Sequence, residues 1–262
     1  MVSREEDSNN RSTRTTLCIA VVVFLCTTLA FTQSSGNFSY GTSPQSQTGC
    51  VLESNGNISG GEQCQMSCNI DSSGTSTCTA ASGTCMDHAV AGIKTSAGSG
   101  NIFDIRPSAV IGLLTDVTVS SKQSGSSTGA VSSSALAGVD FQVSVQGPSG
   151  PVNVIPSNWI TYDSRYIQIS TNLFQALAAQ CLAISGGCFI TFNESTVSAH
   201  SFDFLAGGPA SPLSSGQYTV TTTWKSALGG SGISESLTCV GPLNMTVQQN
   251  KVFSFNTING AP

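Results

Sequence analysis

Alternating apolar and polar residues mark the middle of the chain and predict half-buried β-strands. In residues 138–146 the apolar positions share one face: Val139, Phe141, Val143 and Val145. Residues 108–120 begin apolar and then alternate, with Leu113, Val117 and Val119 on one face. We expect both segments to bury that face against a core.

Shorter strands are predicted along the rest of the chain. Residues 159–162 and 166–170 are expected to form a hairpin around a polar turn at Asp163, Ser164 and Arg165. The remaining predicted strands are residues 188–192, 201–205, 217–224, 236–240 and 252–255.

Two segments between the strands have a different pattern. Residues 172–182 predict a helix, because Leu173, Leu177 and Cys181 recur at helical spacing. Residues 120–134 are rich in Ser and Gly, which predicts a long hairpin loop or linker.

Short strands separated by Gly-, Pro- and Ser-rich turns favour a mainly β fold: an antiparallel β-sandwich or jelly-roll-like domain with one short helix. Strands do not alternate with helices, and no phosphate-binding glycine loop follows a strand, so a nucleotide-binding α/β fold is not expected. The predicted organisation is an N-terminal tail (1–16), a hydrophobic helix (17–32), a Cys-, Gly- and Ser-rich segment stapled by disulfides (33–86) and a β-rich domain (87–262).

The hydrophobic helix allows two interpretations. As a signal peptide it has a suitable length, and Thr28 and Ala30 offer a small-residue cleavage site. As a signal anchor it reaches the lower end of the about 17–25 residues that span a bilayer. Arg11 and Arg14 would then hold the N-terminus in the cytoplasm, as in a single-pass type II membrane protein. Both interpretations predict that everything after residue 32 is translocated, so the protein is secreted or membrane-anchored.

The cysteines after the apolar run predict a disulfide framework in such a compartment. They are Cys50, Cys64, Cys68, Cys78, Cys85, Cys181, Cys188 and Cys239. Five lie in the first third of the chain and three in the last, so full pairing requires at least one bridge between the two groups. A local bridge between Cys181 and Cys188 is our hypothesis. Zinc is the competing interpretation for Cys64, Cys68, Cys78 and Cys85, but their irregular spacing and the oxidising compartment argue against it, and no metal or cofactor is predicted.

Low charge is the main feature of the composition. Only 9% of the residues are charged and the net charge is −5, against about 25% charged residues in typical globular proteins. Without a basic stripe to neutralise phosphates, no nucleic-acid partner is expected. Attached glycans would keep such a surface soluble, and N-glycosylation sequons begin at Asn37, Asn57, Asn193 and Asn244.

No catalytic residue is predicted. Residues 125–129 fit a G-x-S-x-G motif, but they lie in a Ser/Gly-rich run without the following helix that this motif requires. The chain has two histidines, His88 and His200. Since His200 and Asp203 are three positions apart on a predicted strand, they would point to opposite faces and would not form a triad.

Aromatic residues are the candidate ligand contacts. Trp159, Tyr162 and Trp224, together with Tyr166 and Tyr218, could form a platform for sugar rings or a protein partner. The competing interpretation places both tryptophans in the core.

Taken together, these features predict a non-catalytic extracellular glycoprotein with a structural or adhesive role in a cell surface, appendage or virion. Its partners would be other copies of itself or other surface glycoproteins, because exposed β edges with few charges permit edge-to-edge assembly. The alternative is a carbohydrate- or protein-binding receptor module that uses the aromatic residues to bind glycans or proteins. A third hypothesis, a secreted hydrolase, requires two acids, or a His and a nucleophile, to converge in a cleft.

Overall fold

The computed structural model describes residues 37–43, 47–71, 73–95, 101–120, 132–170, 188–208 and 213–251. They belong to one compact unit, Asn37–Pro262. This described part is mainly β, with 79% of it in strands and no helix. A search of the same ranges for a helix long and apolar enough to cross a bilayer finds none. The predicted hydrophobic helix (17–32), the helix at 172–182 and the strand at 252–255 lie outside the described residues.

The strands vary widely in length, from two to twenty residues. In chain order they are β1 (Phe38–Thr42), β2 (Val51–Leu52), β3 (Ile58–Ser59), β4 (Glu62–Ile70), β5 (Ser76–Cys78), β6 (Ser82–Gly83), β7 (Met86–Thr95), β8 (Asn101–Ser120), β9 (Ser132–Gly147), β10 (Gly150–Val152), β11 (Val154–Ile155), β12 (Ile160–Ser170), β13 (Phe189–Ser201), β14 (Phe204–Gly207), β15 (Gly216–Ser231) and β16 (Ile233–Lys251).

Two large antiparallel sheets contain most of these strands. The nine-stranded sheet is built around β8 and β16, which pair along almost their whole length. Strands β13 and β14 flank β8 on its other side, whereas β1 and β4 flank β16. In the five-stranded sheet, β9 and β15 are the centre, with β7 beyond β15 and β10 and β12 beyond β9. A two-stranded sheet of β2 and β3 completes the described part.

The alternating segments are strands with the predicted buried faces. In β8, Leu113, Val117 and Val119 are buried. In β9 the four apolar positions of residues 138–146 are buried in the same way. The mainly β, antiparallel character of the prediction is therefore confirmed, and β8 extends seven residues further towards the N-terminus than predicted.

The predicted hairpin at 159–170 is wrong. Strand β12 runs through Asp163 without turning, because Asp163, Ser164 and Arg165 pair in register with β9. The one irregularity is a bulge at Tyr162, between Thr161 and Asp163. Residues 120–134 were predicted to be a long hairpin loop or a linker. Because β8 lies in the nine-stranded sheet and β9 in the five-stranded sheet, this segment is not a hairpin loop, and the linker alternative agrees with the strand order.

Two apolar clusters draw their residues from both large sheets. The first includes Phe103 and Phe204 from the nine-stranded sheet and Tyr218 from the five-stranded sheet. The second joins Ile111 to Trp224 in the same way. Burial of these side chains removes the apolar surface of both sheets from water and holds the sheets together.

Strand β16 keeps its apolar side chains in the core by means of a bulge. Val240 pairs with Ile111 and Leu243 with Ala109, so β16 has one more residue than β8 at this point. The extra residue shifts the alternation by one position, because successive side chains on a strand point to opposite faces. Val240 and Leu243 are therefore both buried in the same cluster although they are three positions apart.

Three disulfides are present among the described residues: Cys50–Cys239, Cys64–Cys85 and Cys68–Cys78. The first joins the early and late groups of cysteines, as the uneven split between the groups requires. Cys188 is also disulfide-bonded, and because Cys181 lies outside the described residues, the predicted local bridge stays a prediction. Three intramolecular disulfides indicate an oxidising, extracellular-type environment.

The predicted Cys-rich segment joins the same sheet as the rest of the unit. Its strands β1 and β4 both pair with β16. The Cys50–Cys239 bridge holds the residues after Cys50, including β2 and β3, over the outer surface of β8 and β16. There Ile58 packs with Leu114 and Leu237 in a separate small cluster. Disulfides and this cluster order a segment that has little apolar surface of its own.

Candidate functional site

The three aromatic residues predicted as a ligand platform, Trp159, Tyr162 and Trp224, do not form an exposed surface. Trp224 is 0% exposed in the core cluster that also contains Phe141. Tyr162 stacks on Phe141 with ring centroids 4.0 Å apart, and its hydroxyl donates a hydrogen bond to the carbonyl of Pro107 at 3.1 Å. Burial raises the pKa of the Tyr162 hydroxyl. Trp224 is therefore a core residue and Tyr162 lies at the margin of the core, so neither presents a ring face to a ligand.

Trp159 remains partly accessible, but a cation covers one face of its ring. The Nζ atom of Lys225 lies 4.3 Å from the ring centroid, a cation–π geometry. The same Nζ is 3.9 Å from Oδ2 of Asp140, and Oδ1 of this carboxylate accepts a hydrogen bond from Thr161 Oγ1 at 2.7 Å. Lys225 therefore occupies one face of the Trp159 ring, and at most the other face is free to stack on a sugar.

His200 lies in a polar group that contains the residue types of a catalytic triad. Its Nε2 atom is 2.6 Å from Ser198 Oγ and 3.4 Å from Asp163 Oδ2. In a triad the nucleophile and the acid contact opposite nitrogens of the imidazole, so that the acid orients the ring while the other nitrogen accepts the proton. Here both partners contact Nε2, so the group lacks the geometry for nucleophilic catalysis.

Asp203, the other acid considered with His200, pairs with Arg106. The guanidinium donates two hydrogen bonds to its carboxylate, from Nε to Oδ1 and from Nη2 to Oδ2, the latter at 2.9 Å. This pairing lowers the pKa of Asp203. Neighbouring Asp104 has a raised pKa, first because of its burial and then because of the charge of Asp203.

Metal ligation finds no support in the described ranges, where no group of three or more His, Cys, Asp and Glu side chains could hold an ion. The cysteines for which zinc was the competing interpretation are paired with one another in disulfides. Their sulfur atoms are therefore not available as thiolate ligands.

All four sequon asparagines, Asn37, Asn57, Asn193 and Asn244, are exposed. They differ in what their side-chain amides contact. The Nδ2 atom of Asn193 donates a hydrogen bond to Asp116 Oδ2 at 3.2 Å. Asn57 lies at the end of an exposed turn whose Gly56 faces Asn193, so these two sequons are close neighbours on the outer surface of the nine-stranded sheet.

Asn37 should be the least glycosylated of the four. Its Nδ2 atom donates hydrogen bonds to the carbonyl of Lys94 and to Gln249 Oε1, the latter at 2.9 Å. A sugar replaces one of the two amide hydrogens, so a glycan here removes one bond and crowds the edge of β7. Glycopeptide mass spectrometry of the secreted protein should find lower occupancy at Asn37 than at Asn57. Occupancy at Asn37 equal to or above that of Asn57 contradicts this expectation.

A row of side chains, which we call the exposed row, crosses five strands on the outer face of the nine-stranded sheet; all but the half-buried Asp104 at its centre are exposed. Phe38 of β1 pairs with Gln248 of β16, and Gln248 pairs with Asp104 of β8. On the other side of β8, Asp104 pairs with Leu205 of β14, which pairs with Ile155 of β11. The two ends of this row are apolar and its centre is polar. In the next row, Tyr40 lies opposite Thr246, which in turn faces Arg106.

Sequence reasoning missed this surface because residues 32–86 are poor in apolar runs. A weak signal was present: Phe38 and Tyr40 alternate with Ser39 and Gly41, the two-residue period of a strand. Phe38 and Tyr40 are 61% and 72% exposed.

A second exposed feature is the pair of edge strands β12 and β13. Within the part of the chain that the structure describes, β12 pairs with β9 and β13 with β8, and neither pairs with a second strand. Besides the contact of His200 with Asp163, a longer ion pair joins them, from Arg165 Nε to Glu194 Oε2 at 3.7 Å. Beyond these charged groups, β13 presents Phe189, which is 73% exposed, and Phe192.

These surfaces cannot be assigned through relatives. No protein-family model matches the chain, and no curated protein matches it.

Proposed function

We propose that the chain is a non-catalytic extracellular glycoprotein with a structural or adhesive role in a cell surface, appendage or virion. The observation that carries this proposal is the uncharged start of strand β13, where Phe189 and Phe192 are exposed and where, among the described residues, β8 is the one strand paired with it. An exposed edge strand offers unpaired backbone groups to a strand of another molecule, and apolar side chains beside it add buried area when the two pair.

The distribution of charge on the two edge strands supports this proposal. Natural proteins block sheet edges with charges and bulges. Strand β12 has both devices near its start, a bulge after Thr161 and the charged residues Asp163 and Arg165. The polar side chains Glu194 and His200 of β13 lie opposite that part of β12. The first four residues of β13, Phe189–Phe192, are uncharged and pair with β8 without a bulge.

The proposal also includes secretion, a β-sandwich arrangement and glycosylation, each with its own support. The disulfides support secretion, and residues 17–32 would serve as a cleaved signal or as a type II anchor. A β-sandwich arrangement is supported by core clusters that draw on both sheets. The four exposed sequons support glycosylation, which would add polar surface to a chain with few charges.

Electron microscopy of the purified, non-reduced protein is the direct test. We expect ordered filaments, arrays or closed oligomers of the wild-type chain. The variant Phe192→Lys should lose most of this assembly, because a charge beside the edge must be desolvated when another strand pairs there. The matched control is Thr219→Lys, which adds the same charge on an exposed position of the central strand β15.

Dispersed monomers of the wild-type protein at all concentrations would contradict the proposal. Equal loss of assembly in both lysine variants would contradict the role of β13, because the control changes net charge without touching an edge. Thermal unfolding followed by circular dichroism checks that both variants are folded.

The alternative function, a carbohydrate- or protein-binding receptor module, retains Trp159 from its predicted aromatic residues. With Lys225 over one ring face, a ligand would have to stack on the other face. A glycan screen on monomeric protein, with Trp159→Ala as the comparison, tests this alternative.

A further inference from the structure

The sequon at Asn244 lies in the middle of the surface crossed by the exposed row. Strand β16 runs between β1 and β8 here, and Asn244 pairs with Thr42 on one side and Ser108 on the other. Asn244 is exposed, whereas Met245, the middle residue of the sequon, is buried in the core. The acceptor Asn244 and the hydroxyl residue Thr246 therefore point outward together, as alternation on a strand requires.

An exposed aromatic side chain lies beside this sequon. Tyr40 of β1 is directly opposite Thr246 and diagonal to Asn244. Diagonal neighbours on one face of an antiparallel pair are about 7–8 Å apart, within the reach of an aromatic side chain. Tyr40 is 72% exposed and Phe38, two positions before it on the same face, is 61% exposed. Neither belongs to a core cluster of the described residues.

We propose that the first sugars of an N-linked glycan on Asn244 pack over Tyr40 and thereby cover the apolar end of this surface. A pyranose ring has an apolar face of C–H groups that suits an aromatic ring, and its hydroxyl and acetamido groups suit a polar surround. Gln248 follows Thr246 on the outward face of β16, and Arg106 faces Thr246 from β8. These side chains supply hydrogen-bond donors and acceptors next to the aromatic ring.

The position of the sequon favours this occupant over a second copy of the chain. A glycan on Asn244 projects from the centre of the same surface, so it would keep another protein molecule from approaching Tyr40 closely. The same glycan is tethered beside the aromatic ring, so its packing loses little translational freedom. The inference rests on the proposed glycoprotein function and adds to it a role for one sequon.

A double-mutant cycle on the full chain secreted from eukaryotic cells tests the inference. The four proteins are wild type, Tyr40→Ala, Asn244→Gln and the double variant, compared by their thermal unfolding midpoints. In the glycosylated background Tyr40→Ala should lower the midpoint by about 2–4 °C. In the Asn244→Gln background the same substitution should have little effect, because no sugar then packs on the ring.

Tyr166→Ala is the matched control, since Tyr166 is a 60% exposed tyrosine on β12. Its effect should not depend on Asn244. Where Tyr40→Ala fails to be secreted, Tyr40→Thr replaces the ring with a residue of high strand propensity and the same cycle applies.

Three results would overturn the inference. The first is an equal midpoint shift from Tyr40→Ala with and without Asn244. The second is an effect of Tyr40→Ala on assembly alone, which would assign the surface to a second copy. The third is an unmodified Asn244 in glycopeptide mass spectrometry. If Asn57 and Asn193 carry glycans in that experiment, the proposed function stands while this inference fails; if no sequon is modified, both fail.

Discussion

Replacing both Cys50 and Cys239 by serine should lower the free energy of unfolding by about 5 kcal/mol, because the bridge joins residues 189 positions apart. A cross-link over so long a stretch removes many conformations from the unfolded chain. Exchange of both cysteines leaves no free thiol to form a new bridge. Urea unfolding under non-reducing conditions, followed by circular dichroism, measures the change.

Loss of the Cys50–Cys239 bridge should also free the residues after Cys50 from the outer surface of β8 and β16. Without the bridge, the packing of Ile58 on Leu114 and Leu237 is the main apolar contact that holds these residues. Limited proteolysis should therefore cut near the exposed Glu53 before any other described site, while the two large sheets remain folded.

The matched control is the Cys68–Cys78 pair, which spans 10 positions between directly opposite residues of β4 and β5. Its removal should cost about 3 kcal/mol by the same dependence on loop length. If removal of Cys68–Cys78 lowers the free energy of unfolding as much as removal of Cys50–Cys239, the chain-entropy argument for the long bridge is wrong.

Trp224→Ala should lower the free energy of unfolding by about 3–5 kcal/mol. Trp224 is the largest fully buried side chain and packs in a cluster that contains residues of both sheets, such as Ile111 and Phe141. Truncation leaves a large cavity between elements that cannot collapse without shifting a sheet. Thermal and urea unfolding, followed by far-ultraviolet circular dichroism, measure the loss.

Trp159→Ala is the natural comparison, since it removes the only other tryptophan. Its partly exposed ring contacts the Lys225 ammonium, so its removal should cost less than about 1 kcal/mol. A third variant, Trp224→Phe, should fall between the two. It keeps an aromatic ring and removes an indole N–H that has no hydrogen-bond acceptor among the described residues. Similar costs for both alanine variants would contradict the assignment of Trp224 to the core.

Period-two patterns were sufficient to predict strands where the strand is regular. Val139 and Phe141 in β9, or Leu113 and Val117 in β8, alternate with residues that are partly exposed or pack outside the main core. Burial on one face of a sheet imposes this alternation directly, so it can be read from the sequence.

Irregular strands could not be predicted in the same way. In β16 the bulge between Val240 and Leu243 breaks the alternation. In β12 the alternation is broken by a bulge between Thr161 and Asp163, and the polar residues that follow it resemble a turn. A bulge adds one residue to one strand, and only the partner strand shows that the count differs. The sequence therefore predicted a shorter strand in the first case and a hairpin in the second.

The candidate surfaces were hardest to predict. Aromatic residues alone did not distinguish Trp224 in the core from Tyr40 on the surface, because both follow an alternating pattern of a strand. The difference depends on which face of each strand meets the other sheet. Likewise, Asn37 and Asn244 have equivalent sequons, but one amide donates hydrogen bonds to Lys94 and Gln249 while the other is placed beside Tyr40.

By itself the sequence determined the β class of the described part, the faces of its regular strands and the need for a disulfide between the early and late cysteines. Each of these follows from local alternation or from counting. Only the tertiary structure decided that Cys50 pairs with Cys239, that Trp224 is internal, and that Tyr40 lies next to the Asn244 sequon. Each of these depends on contacts between residues that are far apart in the chain, 189 positions in the case of Cys50 and Cys239. Such contacts follow from strand register and sheet pairing, which local pattern does not specify.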